Sequence, residues 1–298
     1  MATVGRSSPI EVFLQSLQEQ DIVGTGARIN LIIVDQNEDD RVREVIESFD
    51  DLLPICVLAS ERGLSRARNI GLSKVEGDIV GFPDDDCWYS KGFLDGLVRW
   101  FAEHPEADGL SCRVTDEQGH HSAGGFMSKK PHWITKGTIW RSAVSPGLFV
   151  RKELIDRIGG FDEQLGVGAG TPWNSGEESD FVLRGLEAGG RFYYDPDRVV
   201  YHPRREMASS SGHITRAWSY GLGMGFVLRR HQYSFFVSVY YGLLMLGSAL
   251  ISLLRLAPGD ALGRAAMGLG RWVGWCRAPR GQLTSIQSGM HTSEALAE

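Results

Sequence analysis

One stretch of the chain decides the fold, and it reads Gly81-Phe82-Pro83-Asp84-Asp85-Asp86-Cys87-Trp88-Tyr89. The apolar run before the acids, from Asp78 to Phe82, has the composition of a β-strand. Beyond them, the residues from Lys91 to His104 carry large apolar side chains at helical spacing. The three acids are therefore expected in a strand-to-helix turn, at the carboxyl end of a strand, where open α/β sheets bind their ligands.

The side chains of these acids are expected to alternate. An extended backbone directs Asp84 and Asp86 to one side and Asp85 to the other. Two carboxylates on one side suit magnesium or manganese bound together with a substrate phosphate. A solvated acidic turn has the same composition, so the rest of the chain must distinguish a metal site from a simple turn.

Strands and helices alternate through the first hundred residues. Ser8-Pro9-Ile10-Glu11 has the form of a helix-capping box. The runs from Asn30 to Val34 and from Ile55 to Ala59 predict strands, and Asp35 stands at the end of the first of them. This alternation predicts a Rossmann-like α/β fold, with a mostly parallel, doubly wound sheet.

Composition narrows the range of functions. The chain has 298 residues, of which 42% are hydrophobic, and a formal net charge of -6. It can bury a sizeable core, and it lacks the overall basic charge that binds nucleic acid, so no nucleic-acid partner is expected. The four cysteines form no C-x-x-C pair, which indicates a reducing cytosol rather than a disulfide framework or a zinc site.

Several motifs together resemble the family 2 glycosyltransferases, which are inverting enzymes with the GT-A fold. The motifs are the runs Arg62 to Leu72, Gly77 to Phe82, Asp84 to Asp86, Gly159 to Glu163, Gly176 to Phe181 and Tyr201 to Pro203. Several motifs in the right order are far more specific than any one of them. The resemblance implies a GT-A domain over residues 1–205, followed by a helical region over 206–283 and a disordered tail over 284–298.

The resemblance also implies residues that hold the nucleotide-sugar donor. Thr3 and Arg6 match the first nucleotide-contacting turn of the family. Asp35 matches the acid that reads the base or the ribose. Either Arg66 or Arg68 matches the basic position near the nucleotide.

A metal site is implied at the D-x-D motif. Asp84 and Asp86 match its two ends, with Asp86 as the direct ligand of a divalent metal, magnesium or manganese, and Asp85 lies between them on the donor side. His202 follows the last strand of the domain and is placed to approach the metal or the diphosphate. A partly buried histidine at a strand end, without a functional role, explains His202 equally well.

The catalytic base is implied by the pair Glu177-Glu178, which matches the Glu-Asp pair of the family. The second member of that pair is the base, and in this chain it is Glu178, which is one methylene longer. Asp180 is the alternative base. An exposed acid in the first turn of a helix is the alternative interpretation of Glu178, and within the matched motif catalysis is favoured over it.

An inverting transfer explains why two acid groups are needed. A carboxylate deprotonates the acceptor hydroxyl on one face of the sugar, and a divalent cation offsets the charge of the nucleoside diphosphate that leaves from the other face. The expected partners are a nucleotide-sugar donor and a glycan or lipid-linked acceptor. A nucleotidyltransferase and a non-catalytic binding protein derived from the enzyme remain alternatives.

The acceptor side is expected in the loop-rich residues 113–147 and around Trp173, whose ring could stack on a sugar. Core or lid packing explains Trp133 and Trp140 at least as well. The neighbouring histidines of this region, His120 and His121, are interpreted as a solvated turn.

The helical region carries a membrane signal. The run from Phe235 to Leu254 has no charge and is long enough to span a bilayer. Arginines lie on both sides of it, against the positive-inside tendency, and residues 262–276 have the pattern of a basic amphipathic helix with interfacial tryptophans. We therefore expect a re-entrant or in-plane appendage on the cytoplasmic face of the cell membrane. A soluble helical subdomain is the alternative.

The first strand is expected to be missing from this sequence. A GT-A sheet begins with an apolar strand of about five residues, but only Met1 and Ala2 precede Thr3. The sequence predicts that about ten more residues, rich in valine and isoleucine, precede Met1 in the natural protein, or else that this chain is a weakly active fragment.

Overall fold

The computed structural model describes residues 1–5, 8–20, 26–49, 54–120, 127–203 and 212–279. Arg6, His121 and the tail over 284–298 lie outside the described residues, so the expectations for them stay predictions.

The first sheet is parallel and has three strands. In spatial order these are β1 (Ala2–Thr3), β2 (Leu31–Asp35) and β3 (Ile55–Ala59). The register places Thr3 beside Asp35, so the turn after β1 and the end of β2 lie together. β2 and β3 confirm the strands predicted there. β1 has two residues in this structure, and the expectation for residues before Met1 stays a prediction.

The second sheet is mixed. Its strands are β4 (Ile79–Gly81), β5 (Trp88–Tyr89), β6 (Gly109–Thr115), β7 (His132–Trp133), β8 (Leu148–Arg151) and β9 (Phe192–Tyr201). The spatial order is β4-β8-β6-β9-β5, with β7 on β9, and only β6 and β9 pair in parallel. The expectation of a mostly parallel sheet therefore holds for the first sheet and not for the second. β8 runs antiparallel to both β4 and β6, a direction that needs no crossover helix.

Helices cover the sheets and continue into a C-terminal group. They are α1 (Ser8–Gln18), α2 (Arg41–Ile46), α3 (Leu64–Leu72), α4 (Phe93–Glu103), α5 (Lys152–Ile158), α6 (Glu177–Glu187), α7 (Gly212–Arg230), α8 (Phe235–Leu254) and α9 (Pro258–Arg277). A parallel bridge from Ala2 to Asp84 connects the two sheets. Two strand ends and the acidic turn therefore meet where the sheets join.

The C-terminal helices pack tightly on the domain and on one another. Phe226 and Val227 of α7 belong to the main hydrophobic core. A Cβ atom on Gly221 or Gly225 of α7 would collide with the backbone of α9, so these glycines permit the close approach of the two helices. α8 packs on α9 and leaves much of its other surface exposed.

Among the described residues, one helix is long and apolar enough to cross a membrane. It is α8, which has 20 residues; an 18-residue window of it has a mean hydropathy of 1.9, and 22% of that window is buried inside the protein. Length and composition alone do not distinguish a span from a helix that lies along a membrane surface.

Candidate active site

The turn after β4 separates the three acids as the alternation predicts. The hydroxyl of Thr3 donates to Asp85 Oδ2 over 2.7 Å, so Asp85 faces the start of the chain. Asp84 and Asp86 instead face His202, the residue directly after β9. Ligand atoms of Asp84, Asp86 and His202 all lie within 4.8 Å of one another.

These three residues form a group that could hold a divalent cation. His202 Nε2 lies 3.0 Å from Asp86 Oδ1 and 3.8 Å from Asp84 Oδ2. His202 Nδ1 lies 2.8 Å from the carbonyl oxygen of Pro203, so Nδ1 is the nitrogen that carries a proton in the neutral ring and Nε2 is left to bind a metal. Two carboxylates and one imidazole are a donor set suited to manganese and similar ions.

Electrostatics in this group also fit a cation. Burial raises the pKa of Asp84, although the charges of Arg68 and His202 oppose the increase. Burial lowers the pKa of His202, but its bond to Asp86 and the charges of both acids outweigh burial and raise the pKa above its ordinary value. The raised pKa favours a second proton on the His202 ring, at Nε2, and a bound metal would replace that proton.

Arg68 connects the acidic turn to the next part of the site. Its guanidinium is buried and lies 3.3 Å from Asp84 Oδ1 and 3.4 Å from Glu177 Oε1. It also donates to the hydroxyl of Ser145 and lies over the ring of Phe161. α3 thus holds a buried cation between the metal-ligand group and the start of α6.

The start of α6 presents the pair Glu177-Glu178. Gly176, just before the helix, has φ +90°, and a Cβ atom there would lie 2.9 Å from a methyl group of Val227, so only glycine fits this turn. Glu177 is buried against Arg68, whereas Glu178 is half-buried. Burial of the carboxyl group and the negative charge of the adjacent Glu177 raise the pKa of Glu178 well above its ordinary value.

Asp180 lies in a different environment from Glu178. Its carboxylate is fully buried, 2.9 Å from Arg184 Nε, 3.4 Å from Arg230 Nε and 3.0 Å from His231 Nε2. Burial raises the pKa of Asp180, but these partners outweigh burial and the net shift is downward. Both oxygens are engaged in this buried ion cluster, a placement that favours a structural role over that of a base.

Two other residues predicted to contact the nucleotide-sugar donor, Asp35 and Arg66, lie in different parts of the structure. Asp35 lies at the end of β2 and accepts hydrogen bonds from the backbone and side-chain amide groups of Asn37, over 2.9 and 2.7 Å. Arg66 lies on the exposed side of α3, paired with Glu61 and Glu163. Of the two arginines that match the basic position, Arg68 is therefore the one that faces the acidic turn.

The tryptophans proposed for the acceptor side are all half-buried. The ring of Trp173 packs on Phe226 of α7, with 4.9 Å between centroids. Trp133 lies between Tyr193 and the guanidinium of Arg191. These contacts are compatible with protein packing as well as with stacking on a sugar.

Three residues of the site and its support were missed by the sequence interpretation: Ser145, which binds Arg68, and Arg230 and His231, which hold Asp180. The sequence pattern indicates Arg229 and Arg230 only as arginines that precede the apolar run from Phe235 to Leu254, and it gives no role to His231. Arg230 and His231 lie about fifty residues after Asp180 in the sequence. Hydrophobic periodicity shows only which face of a helix or strand is buried, so it could not have identified them as partners of Asp180.

Sequence comparison shows that this chain is similar to named glycosyltransferases. The glycosyltransferase for pre-mycofactocin of Mycobacterium tuberculosis is 27% identical over 214 residues, which cover 69% of this chain and 42% of that protein. A glucosyl-dolichyl phosphate glucuronosyltransferase of Haloferax volcanii is 23% identical, over 58% of this chain and 56% of that protein. The chain therefore spans about half the length of the curated relatives it matches.

Solved structures share the GT-A fold with this chain. A mannosyltransferase of Pyrobaculum calidifontis in complex with GDP-Man and Mn2+ superposes with a TM-score of 0.56 at 18% identity, covering 91% of this chain and 85% of that one. S. aureus TarS in complex with UDP-GlcNAc gives 0.58 at 19% identity, covering 92% and 88%. The predicted fold class, α/β of the GT-A kind, is confirmed. The family model described as glycosyl transferase family 2 matches residues 1–157, more than half of the sequence, and the chain belongs to that family.

Proposed function

We propose that this chain is a metal-dependent, inverting glycosyltransferase that acts in the synthesis of a cell-surface polysaccharide or glycolipid. The observation that carries the proposal is the buried link from Asp84 through Arg68 to Glu177, beside Glu178. It brings a metal-ligand group and a candidate base to one site, which is what displacement of a diphosphate by a hydroxyl requires.

The proposed reaction is a single in-line displacement. Glu178 takes the proton of the acceptor hydroxyl while that oxygen forms a bond to the anomeric carbon. The bond from this carbon to the diphosphate oxygen breaks on the opposite face, so the configuration inverts. When bound by Asp84, Asp86 and His202, magnesium or manganese offsets the negative charge of the leaving diphosphate. The raised pKa of Glu178 makes this carboxylate a stronger base.

The proposed donor is a nucleoside diphosphate sugar. Its support is the end of β2 with Asp35, the end of β1 with Thr3, and the solved structures that hold GDP-Man and UDP-GlcNAc. Arg6, also predicted to contact the nucleotide, lies outside the described residues. The proposed acceptor is a glycan or lipid-linked sugar, and one relative is named for action on glucosyl-dolichyl phosphate.

The start of α6 argues against nucleotidyl transfer. Transfer of a nucleotidyl group needs no base opposite the diphosphate, whereas this helix begins with Glu177-Glu178 beside Arg68. The arrangement therefore favours glycosyl transfer over nucleotidyl transfer, and turnover separates it from a binding protein.

A panel of nucleotide sugars, incubated with the protein and Mn2+, tests the proposal. Release of the nucleoside diphosphate, with or without an added acceptor, is the expected result. Release of the sugar phosphate, which leaves when a nucleoside monophosphate is transferred, would instead indicate nucleotidyl transfer, and binding of a nucleotide sugar without any turnover would indicate a binding protein.

The proposed location is the cytoplasmic face of the cell membrane. Its support is the exposed apolar surface of α8, together with the basic helix α9, whose Trp272 and Trp275 lie beside α8. Tryptophan and arginine on an amphipathic helix are typical of proteins that lie at a membrane surface.

A further inference from the structure

A pocket of about 350 Å³ lies between the start of α8 and the short 3-10 helix Ile139–Arg141. Its volume is within the range of small-molecule sites. Aromatic and aliphatic side chains line most of it, namely those of Trp140, Tyr233, Phe236, Val237, Tyr240 and Tyr241. None of these residues belongs to the proposed donor, metal or base groups.

The chemistry of the lining favours a hydrocarbon over a sugar. The hydroxyl of Tyr233 donates to the carbonyl oxygen of Lys136 over 2.6 Å, and the ammonium group of Lys136 lies 2.7 Å from Glu187. These two polar groups are therefore already paired, and the indole Nε1 of Trp140 is a buried donor with no hydrogen-bond partner among the described residues. So few polar groups cannot satisfy the several hydroxyl groups of a sugar, whereas a hydrocarbon chain needs no hydrogen-bond partner.

The pocket opens onto the exposed apolar surface of α8. Phe236 lines the pocket and is 81% exposed. Tyr240, Leu243 and Leu244 follow it at helical spacing and are also exposed, so they continue the same surface along the helix. An occupant that enters from this side would come from an apolar phase, which is a lipid layer.

An exposed cation lies beside the pocket. Arg141 ends the 3-10 helix, is exposed, and its charge acts on the hydroxyl group of Tyr241, which lines the pocket. An arginine beside an apolar pocket is complementary to an amphiphile whose head is a phosphate.

The helix that begins with the candidate base ends at the edge of the pocket. Lys136 at its edge pairs with Glu187, the last residue of α6, and Glu178 lies nine residues earlier on that helix, or about 13 Å along its axis. The chain that forms the pocket wall continues to Ser145, which binds Arg68. A sugar carried by a phosphate at Arg141 would extend along α6 toward Glu178.

We propose that this pocket binds the first segment of the hydrocarbon chain of a single-chain lipid phosphate, the carrier of the acceptor sugar, with its phosphate against Arg141. The proposal rests on the proposed glycosyl transfer and specifies its acceptor. A cavity of about 350 Å³ lies near the lower end of the range for small-molecule sites, which suits one chain rather than the two acyl chains of a bilayer phospholipid.

Photolabelling of the whole protein in detergent tests the pocket. The probe is farnesyl phosphate with a photoreactive group at the end of its chain. We expect label on residues 136–141 and 233–241, and we expect unlabelled farnesyl phosphate to displace the probe at least about tenfold more effectively than inorganic phosphate, farnesol or a diacyl phospholipid. Label elsewhere, or equal displacement by any of these competitors, would overturn the proposal.

Matched variants separate the pocket from the general apolar surface. Phe236→Glu places a charge at the mouth, and Leu254→Glu makes the same change at the other end of α8, where the side chain is 77% exposed. Both positions are on the surface, so both variants should fold. Labelling should fall about tenfold in the first variant and stay unchanged in the second. Equal loss in both would contradict the pocket.

The same preparations distinguish the two proposals. Hydrolysis of a nucleotide sugar reports donor chemistry without any acceptor. If hydrolysis proceeds and the label maps elsewhere, the lipid pocket is wrong and the glycosyltransferase stands. If the label maps to the pocket and no nucleotide sugar is consumed, the lipid site stands and the proposed function is wrong.

Discussion

Asp86 is the residue that most directly tests the metal, because its carboxylate is buried and lies 3.0 Å from His202 Nε2. Asp86→Asn keeps the shape of the side chain but removes a charge from the metal-ligand group. We expect activity to fall about 100-fold or more. We also expect the electron paramagnetic resonance signal of protein-bound Mn2+ to be lost. A chelator should reproduce the loss of activity in the unmodified protein.

Asp156 provides the control for this change. It lies on α5, is exposed, and pairs only with Lys152 over 2.7 Å, so Asp156→Asn removes the same charge far from the acidic turn and should cost little. Full turnover by the chelated protein would contradict the metal proposal.

Glu178 can be tested by the pH dependence of the reaction. A base acts only when it is deprotonated, and burial with the neighbouring Glu177 charge raises the pKa of Glu178. The rate should therefore increase with pH through a pKa above the ordinary glutamate value of about 4.3. Glu178→Gln should lower kcat by about 10²–10⁴-fold, while isothermal titration shows the nucleotide still bound.

Asp180→Asn should have a different effect from Glu178→Gln. It leaves Arg184, Arg230 and His231 without their buried partner, so the free energy of unfolding should fall by about 3–5 kcal/mol. Because the folded state lowers the pKa of Asp180, this stabilisation is present at neutral pH and is lost as the pH falls through the folded-state value. Full activity in Glu178→Gln, with activity lost in a folded Asp180→Asn, would move the role of base to Asp180.

Among the elements, α7 determines where α6 begins. A Cβ atom on Gly223 would overlap the backbone of Ser175, and Val227 closes against Gly176. Gly223→Ala should therefore push the loop before Glu177-Glu178 out of place and cost about 1–3 kcal/mol of stability. We expect kcat to fall more than the affinity for the nucleotide, since the donor residues lie on other elements.

Gly247 is a matched control on α8. It is also a helical glycine, but nothing lies within 4 Å of a Cβ atom built there. Gly247→Ala should stabilise the protein by up to about 1 kcal/mol, the difference in helix propensity, and leave kcat unchanged. Equal effects of the two substitutions on kcat would show that α7 does not position the start of α6.

Local sequence patterns predicted the helices and strands better than they predicted which strands and side chains lie beside them. The apolar run before Asp84 and the spacing behind it were sufficient to place a strand, an acidic turn and a helix. The antiparallel direction of β8 was not predictable, because periodicity records which face of a strand is buried and not which strand lies beside it. The ion cluster around Asp180 was missed for the same reason, since its partners come from α6 itself and from the end of α7.

For the whole molecule, the arginines of α9 favour an in-plane position for α8. Arg271 donates to the carbonyl oxygen of Tyr241 and Arg264 to the hydroxyl of Ser248, each over 2.7 Å. Both contacts lie about 5 Å along the axis from the midpoint of α8. If α8 spanned a bilayer, both arginines would lie near its centre, at a cost of at least about 2.5–3.5 kcal/mol each. If α8 instead lies along the membrane surface, both arginines remain at the level of the lipid head groups.

Residues that flank α8 can test this position. Ser234 precedes the helix and Arg255 follows it, and both are exposed. In a protein without the exposed Cys56 and Cys276, we expect single cysteines at 234 and 255 to react with an impermeant maleimide from the same side of sealed vesicles, because an in-plane helix keeps both ends on one face. Cys56 alone, in the catalytic domain, identifies that face. A cysteine at 255 that reacts only after the vesicles are opened would show that α8 spans the membrane. Recovery of the whole protein as a monodisperse species without detergent would instead contradict membrane attachment.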